Sequence, residues 1–155
     1  MKVRNVQSVI CLVIFFLFAN QAWAENWIKY EESKTGHMYY DKSSIKEVNK
    51  NFISVWTLKV YNKDGKAKDF SMLKGKNKAP NNADILDSNS IVAEFDCVNK
   101  KFRVTAWTIY DKEKHIIYSA PKFMNKWESI VANSSSEKLK NIVCHSDKTS
   151  KTKKK

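Results

Sequence analysis

Hydrophobic and polar residues alternate in six short blocks of the chain, and this two-residue period is typical of half-buried β-strands. The blocks are residues 27–31, 37–41, 52–61, 91–98, 102–110 and 116–120. Turn-forming sequences separate several of them, as Ser33-Lys34-Thr35-Gly36 does between the first two. The pattern therefore predicts an α+β protein whose centre is a single antiparallel sheet of about six strands.

The longest block, residues 52–61, carries large hydrophobic side chains on both of its faces. One face would hold Phe52, Ser54, Trp56, Leu58 and Val60. The opposite face would hold Ile53, Val55, Thr57, Lys59 and Tyr61. We assign Trp56, together with Trp127 near the C-terminus, to the hydrophobic core.

Residues 62–90 show no comparable alternation. Asn62-Lys63-Asp64-Gly65 is typical of a turn, and residues 74–84, KGKNKAPNNAD, are typical of a loop. Phe70, Met72 and Leu73 would fit a continued strand. The sequence does not predict a regular element for residues 66–90.

After Pro121 the hydrophobic period becomes helical. Ser134 and Glu137 have the spacing of a capping box, in which each side chain satisfies a backbone N–H at the start of a helix. Leu139, Ile142 and Val143 then fall on one side of the predicted helix. A helix of about ten residues does not persist alone in water, so we expect it to pack on one face of the sheet.

The first 24 residues have the features of a signal peptide. Lys2 and Arg4 precede an apolar run at residues 9–19, and Ala22 and Ala24 provide the small side chains that signal peptidase requires. Cleavage after Ala24 would leave one domain at residues 25–146 and a short tail at 147–155. Cys11 lacks the small preceding residues of a lipobox, so we predict an exported protein that is periplasmic, secreted or on the cell surface.

The chain is strongly basic, with a net charge of +12, and removal of the two basic residues of the leader leaves +10. This charge favours acidic partners such as anionic lipids, lipopolysaccharide, acidic polysaccharides or acidic protein surfaces. Export argues against nucleic acid. Part of the charge lies in the tail, which contains nothing to bury and is expected to be disordered. Its lysines are Lys148, Lys151, Lys153, Lys154 and Lys155.

Only two cysteines, Cys97 and Cys144, remain after cleavage of the leader. An even pair in an exported protein predicts a disulfide bond, which here would join the sheet to the C-terminal helix. A metal site formed by Cys144 and His145 would need further ligands, and no recognised ligand spacing is present.

The candidate catalytic groups do not form a recognised constellation. His37, His115 and His145 fall in different elements, and no serine or cysteine has the sequence context of a nucleophile. Alternating carboxylates such as Glu94 and Asp96 are typical of a solvated sheet face. We therefore predict a protein that binds rather than catalyses, with no cofactor.

Aromatic residues are more numerous than one core face requires, so some of them should form a recognition surface next to basic side chains. The alternatives are a second small core or a dimer interface. The candidate surface residues are Tyr30, Tyr39, Tyr40, Tyr61, Arg103, Trp107 and Tyr110.

The order of several short motifs resembles the bacterial surface-adhesin protein E family. In the first half these are Trp27, Tyr39-Tyr40-Asp41, Ser44-Ile45 and Val55-Trp56-Thr57-Leu58. In the second half these are Phe95-Asp96-Cys97, Phe102-Arg103, Tyr110, Trp127, Ile130, Ser134 and Cys144. The resemblance covers nearly the whole chain after the leader.

This resemblance implies a six-stranded antiparallel sheet with a C-terminal helix tethered by the disulfide. It also implies an exported protein of Gram-negative bacteria that binds host extracellular-matrix or serum proteins and can form homodimers. Two other hypotheses stay open at this stage. One is a structural module of the periplasm or envelope, and the other is a binder of polyanions such as lipopolysaccharide or heparin-like chains.

Overall fold

The computed structural model describes residues 26–122 and 126–150, with side chains described as far as His145. Within this part of the chain, eight strands form one antiparallel sheet. They are β1 (Trp27–Ser33), β2 (Gly36–Asp41), β3 (Lys46–Asn49), β4 (Phe52–Tyr61), β5 (Leu86–Asp96), β6 (Lys101–Asp111), β7 (Ile116–Ala120) and β8 (Glu128–Ser129). The sheet order is β1-β2-β4-β5-β6-β7. The two short strands β3 and β8 extend it at the starts of β4 and β6.

Two helices pack on the same face of this sheet. Helix α1 (Lys63–Gly75) follows β4, and helix α2 (Ser135–Ser150) follows β8. Leu73 of α1 packs among core residues of β4, β5 and β6, whereas Leu139 and Val143 of α2 pack over the first half of the sheet. We call this side of the sheet the helix face. No helix of the described residues covers the opposite side, which we call the open face.

Cross-strand pairing identifies the residues of the helix face, because directly paired residues project to the same side of a sheet. Ile53 pairs with Phe95, and Val55 pairs with Ala93. All four side chains are at most 3% exposed and contact α2. The α+β architecture, the antiparallel sheet and the packed C-terminal helix are therefore as predicted from the sequence.

The assignment of Trp56 to the core was wrong. Its side chain lies on the open face and is 44% exposed. In β4 the second set of alternating residues, which contains Ile53 and Val55, is the buried one. Both faces of this strand are hydrophobic, so the alternation alone could not identify which one the helices cover.

Helix α1 was not predicted, and it begins at the residues interpreted as a turn. The side chain of Asn62 accepts a hydrogen bond from the backbone N–H of Gly65 at 3.0 Å, which makes Asn62 the N-cap of the helix. Asparagine favours both turns and helix N-caps, so the local sequence fits either structure. In the loop that follows, β5 begins at Leu86, five residues earlier than the predicted start at Ile91.

The predicted disulfide is confirmed. Cys97, directly after β5, is bonded to Cys144 of α2, and their Cα atoms are 5.8 Å apart. The helix does not end near Cys144 as expected but continues to Ser150. The signal peptide at 1–24 and the lysines from Lys151 onward lie outside the described residues. Among the described helices none is long and apolar enough to cross a membrane.

The start of α2 has most of the predicted capping box. Ser134 Oγ accepts from the backbone N–H of Glu137 at 3.3 Å. The Glu137 carboxylate accepts from the N–H of Asn133 at 2.7 Å, one residue before the expected donor. An ion pair of 2.7 Å between Lys138 and Glu31 also connects α2 to β1. The helix is therefore attached to the sheet by apolar packing, an ion pair and the disulfide.

Candidate binding groove on the open sheet face

Three aromatic side chains from different strands surround a groove on the open face. They are Trp27 at the start of β1, Trp56 in β4 and Tyr110 in β6, and they line two adjoining hollows of about 320 and 360 Å³. The first hollow is also lined by Leu58, Ser88, Ser90 and Lys114. The second is also lined by Asp41, Ser43, Ser44 and Lys46. We refer to the two hollows together as the aromatic groove.

The sheet register explains why a hollow forms here. Leu58 of β4 pairs with Ser90 of β5, and Ser88 of β5 pairs with Tyr110 of β6. The small serine side chains of β5 therefore lie between larger residues of the neighbouring strands. Ser88 and Ser90 are only 0% and 5% exposed and form the floor of the groove. Large side chains beside small ones leave a depression on this face.

Hydrogen bonds hold the groove residues in position. The hydroxyl groups of Tyr110 and Ser90 are 3.1 Å apart and share a hydrogen bond. Lys114 Nζ donates to Asp87 Oδ2 at 2.7 Å and lies 3.5 Å from Ser88 Oγ. The first hollow therefore has a fixed phenol and a fixed ammonium group at its edge.

Ser44 supports the backbone beneath Trp56. Strand β2 pairs with β4 from Thr57 onward, and β3 pairs with β4 as far as Ser54, so neither strand reaches the Trp56 N–H. Ser44 Oγ accepts that hydrogen bond at 2.9 Å and donates to the carbonyl oxygen of Asp41 at 2.7 Å. A side chain thus replaces the missing strand partner at the centre of the groove.

Asp41 lines the second hollow as a buried, charged group. Burial raises the pKa of its carboxyl group, but hydrogen bonds from the Ser43 hydroxyl and N–H and from the Asn26 N–H outweigh this effect and hold the pKa below its usual value. The Ser43 hydroxyl donates to Asp41 Oδ1 at 2.6 Å, and the Ser43 N–H does so at 2.9 Å. Asp41 therefore remains ionised at neutral pH and also holds the turn that carries Ser44.

Only part of the predicted recognition surface lies on the open face. Tyr39, Arg103 and Tyr110 do, and Tyr110 lines the groove. Tyr40, Tyr61 and Trp107 are at most 8% exposed and belong to the core of the helix face. They cannot contribute to a binding surface because the helices cover them.

Two of the tyrosines have distinct local roles. Tyr61 donates a hydrogen bond to Asp69 of α1, and its burial, together with the charge of Asp69, raises the pKa of its hydroxyl group. Tyr30 is the extra residue where the β1–β2 register shifts. It packs half-buried against the core, edge-on to Tyr40.

A second aromatic contact on the open face involves Trp127, which was also predicted to be core. Trp127 is half-buried, with the Arg103 guanidinium 4.6 Å from its ring centre and the Phe52 ring 5.2 Å away. Arg103 also forms a short ion pair with Glu94, 2.6 Å from Nη2 to Oε2. These residues pack against one another and extend the aromatic surface of the open face.

Three carboxylates of the sheet and its turns have separate partners. Glu94 binds Arg103, whereas Asp41 and Asp96 each accept backbone hydrogen bonds in turns. Asp111, Glu113 and His115 place possible ligand atoms within 4.8 Å of one another at the β6–β7 turn. The backbone N–H of His115 donates to Asp111 Oδ1 at 2.8 Å, and the Nδ1 atom of its ring lies 3.0 Å from Asp111 Oδ2. These hydrogen bonds stabilise the β6–β7 turn, which explains why the three side chains lie close together.

Among the groove residues, only Tyr110 belongs to the candidate surface predicted from the sequence. Leu58 and Tyr110 each lie in register with a floor serine on β5, and this signal requires the strand pairing to be known.

Comparison with known proteins identifies one family. No curated protein matches the chain, and no solved structure matches it. The model of the surface-adhesin protein E family matches residues 27–145, which include all the groove residues and both bonded cysteines. This match covers well over half of the chain, so the protein belongs to the surface-adhesin protein E family.

Proposed function

We propose that this protein is an exported adhesin that binds host extracellular-matrix or serum proteins through the aromatic groove. The observation that carries the proposal is the exposure of the Trp56 side chain. A tryptophan in the middle of a central strand remains 44% exposed beside a concave surface. Exposed aromatic residues around a hollow are typical of recognition surfaces rather than of a solvated sheet.

The rigidity of the aromatic groove supports this proposal. Trp27, Trp56 and Tyr110 are carried by paired strands, so little conformational entropy is lost when a partner orders them. Trp and Tyr are also the side chains most enriched among residues that dominate binding energy. A partner that covers Trp56 would bury a large apolar area in one contact.

The proposed export and cell-surface location rest on the sequence and on membership of the family. The leader with its cut after Ala24 supports export, and the family supports a cell-surface role. The proposal involves no catalytic step and no cofactor, and the binding of a second copy of the chain is tested as an alternative below.

Adherence of intact cells tests this proposal. Bacteria that express the full chain, its Trp56→Ala variant or its Val131→Ala variant are applied to immobilised matrix and serum proteins. Loss of a central tryptophan typically costs at least about 2 kcal/mol, which corresponds to roughly a thirty-fold weaker interaction. We expect wild-type and Val131→Ala cells to adhere and Trp56→Ala cells to detach.

Val131 is a matched control because it is also a hydrophobic side chain, 72% exposed, but lies outside the groove. Equal amounts of each variant on the cell surface are verified by antibody labelling. Wild-type cells that fail to adhere, or Trp56→Ala cells that adhere as well as wild type, would contradict the proposal.

A further inference from the structure

We infer that the aromatic groove binds a saccharide, so that the feature recognised on a host partner is a glycan chain. This inference rests on the proposed function, since it assigns the ligand class of the same groove. It follows from three properties of the groove: the exposed aromatic rings, the mixture of polar groups around them, and the pairing of the floor strands on both sides.

The first property is the arrangement of aromatic rings. A pyranose ring has apolar C–H groups on its faces and hydroxyl groups at its rim, so a site for it combines a flat aromatic surface with polar groups at the periphery. Trp56 provides an exposed ring, and Trp27 and Tyr110 are partly exposed beside it. The aliphatic side chain of Leu58 completes the apolar part of the first hollow.

The second property is that donors and acceptors alternate around these rings. The Tyr110–Ser90 hydroxyl pair and the Ser43 hydroxyl lie beside the Asp41 carboxylate and the Lys46 ammonium group. Hydroxyls can donate and accept, carboxylates only accept and ammonium groups only donate. Neighbouring sugar hydroxyls need both kinds of partner, and the groove offers both.

The third property concerns the backbone. The groove floor is formed by β4 and β5, and each of these strands is paired on both sides over the floor residues. A peptide could therefore not add to the sheet as a further strand at this position. The groove floor therefore recognises a ligand through side chains, and a saccharide does not require backbone hydrogen bonds from a strand.

The size of the hollows fits a short saccharide. Volumes of about 320 and 360 Å³ lie near the lower end of the range for small-molecule sites, roughly 300–1,000 Å³. The hollows share three lining residues, so adjacent sugar units of one chain could occupy them together. Lys46 at the edge of the second hollow is exposed and would favour an acidic sugar over a neutral one.

Enzymatic removal of glycans tests the inference directly. The purified chain from Glu25 onward is bound to matrix and serum glycoproteins before and after complete removal of their N- and O-linked glycans. We expect deglycosylation to weaken wild-type binding at least about tenfold, and the released oligosaccharides to compete with the intact glycoproteins. Trp56→Ala should show weak binding to both forms, and Val131→Ala should behave as wild type.

The possible outcomes distinguish a failure of the saccharide inference from a failure of the proposed function. If wild type binds deglycosylated proteins equally well and Trp56→Ala still weakens binding, the groove binds polypeptide, so the saccharide inference fails while the proposed function stands. If Trp56→Ala has no effect on either form, the proposed function fails as well. If sedimentation shows a wild-type dimer that Trp56→Ala dissociates, a second copy occupies the groove and the saccharide inference is overturned.

Folding of the variants is controlled independently. Trp56→Ala removes a side chain that is 44% exposed, so its thermal unfolding is measured and binding is compared at a temperature where both proteins are folded. A second variant, Tyr110→Phe, removes only the hydroxyl group that bonds to Ser90. It should retain the ring contacts and weaken saccharide binding by a smaller factor than Trp56→Ala, and an unchanged affinity would contradict the polar role assigned to Tyr110.

Discussion

Replacement of both Cys97 and Cys144 by serine is expected to lower the free energy of unfolding by about 4 kcal/mol. The disulfide joins residues 47 positions apart, and its removal returns to the unfolded chain the conformational freedom of that long loop. Helix α2 depends on this link because few of its side chains are fully buried. Leu139 and Val143 are the buried hydrophobic residues of its described part.

The measurement is urea unfolding followed by circular dichroism. Both cysteines are only half-buried, so the serine side chains themselves should cost little. Wild type treated with a thiol reductant should unfold at the same urea concentration as the double variant, and its helical signal should decrease before the sheet signal. A double variant as stable as the oxidised wild type would show that packing and the Lys138–Glu31 ion pair hold the helix without the bond.

The Gly65→Ala substitution is expected to destabilise the fold by about 2–3 kcal/mol, at the upper end for overpacking. Gly65 is buried in the first turn of α1, where the helix crosses the β1–β2 hairpin. A Cβ atom at this position would lie 2.0 Å from the carbonyl oxygen of Thr35, which belongs to the backbone and cannot rotate away. The helix or the hairpin would have to move.

Gly75→Ala is the matched control for this prediction. Gly75 lies in the same helix, and a Cβ atom there meets no atom within 4 Å. Both glycines lie in end turns of the helix, where alanine gains less than the roughly 1 kcal/mol of a helix interior, so the difference between the two variants mainly reports the close approach to Thr35. Thermal unfolding should show a lower midpoint for Gly65→Ala and an equal or higher one for Gly75→Ala. Equal midpoints would contradict the close approach.

The strands were predictable because their alternation is local, but the covered face of the sheet was not. Strand β4 has hydrophobic residues on both sides, and the position of α1 decides which side is buried. That helix has an interior glycine and a weak hydrophobic stripe, so its sequence resembles a turn followed by a loop. Without α1, Tyr61 and Trp107 looked like surface residues and Trp56 looked like core.

The groove could be predicted from the sequence only in part. Aromatic residues in excess of one core face indicated a recognition surface, and of the residues named for it Tyr110 lines the groove. The groove itself requires Ser88 and Ser90 to lie in register with Leu58 and Tyr110, and two features of the sheet determine that register. One is the early start of β5 at Leu86, and the other is the shift in pairing between β5 and β6.

Fluorine NMR of the four tryptophans from Glu25 onward tests the central claim most directly. The chain from Glu25 onward, labelled with fluorotryptophan, is titrated with the host glycoprotein that it binds most tightly. The signals of Trp27 and Trp56 should shift or broaden, whereas that of Trp107, buried beneath α1, should not change. A response confined to Trp107 or Trp127, or no response of any tryptophan at saturation, would show that the partner binds outside the groove.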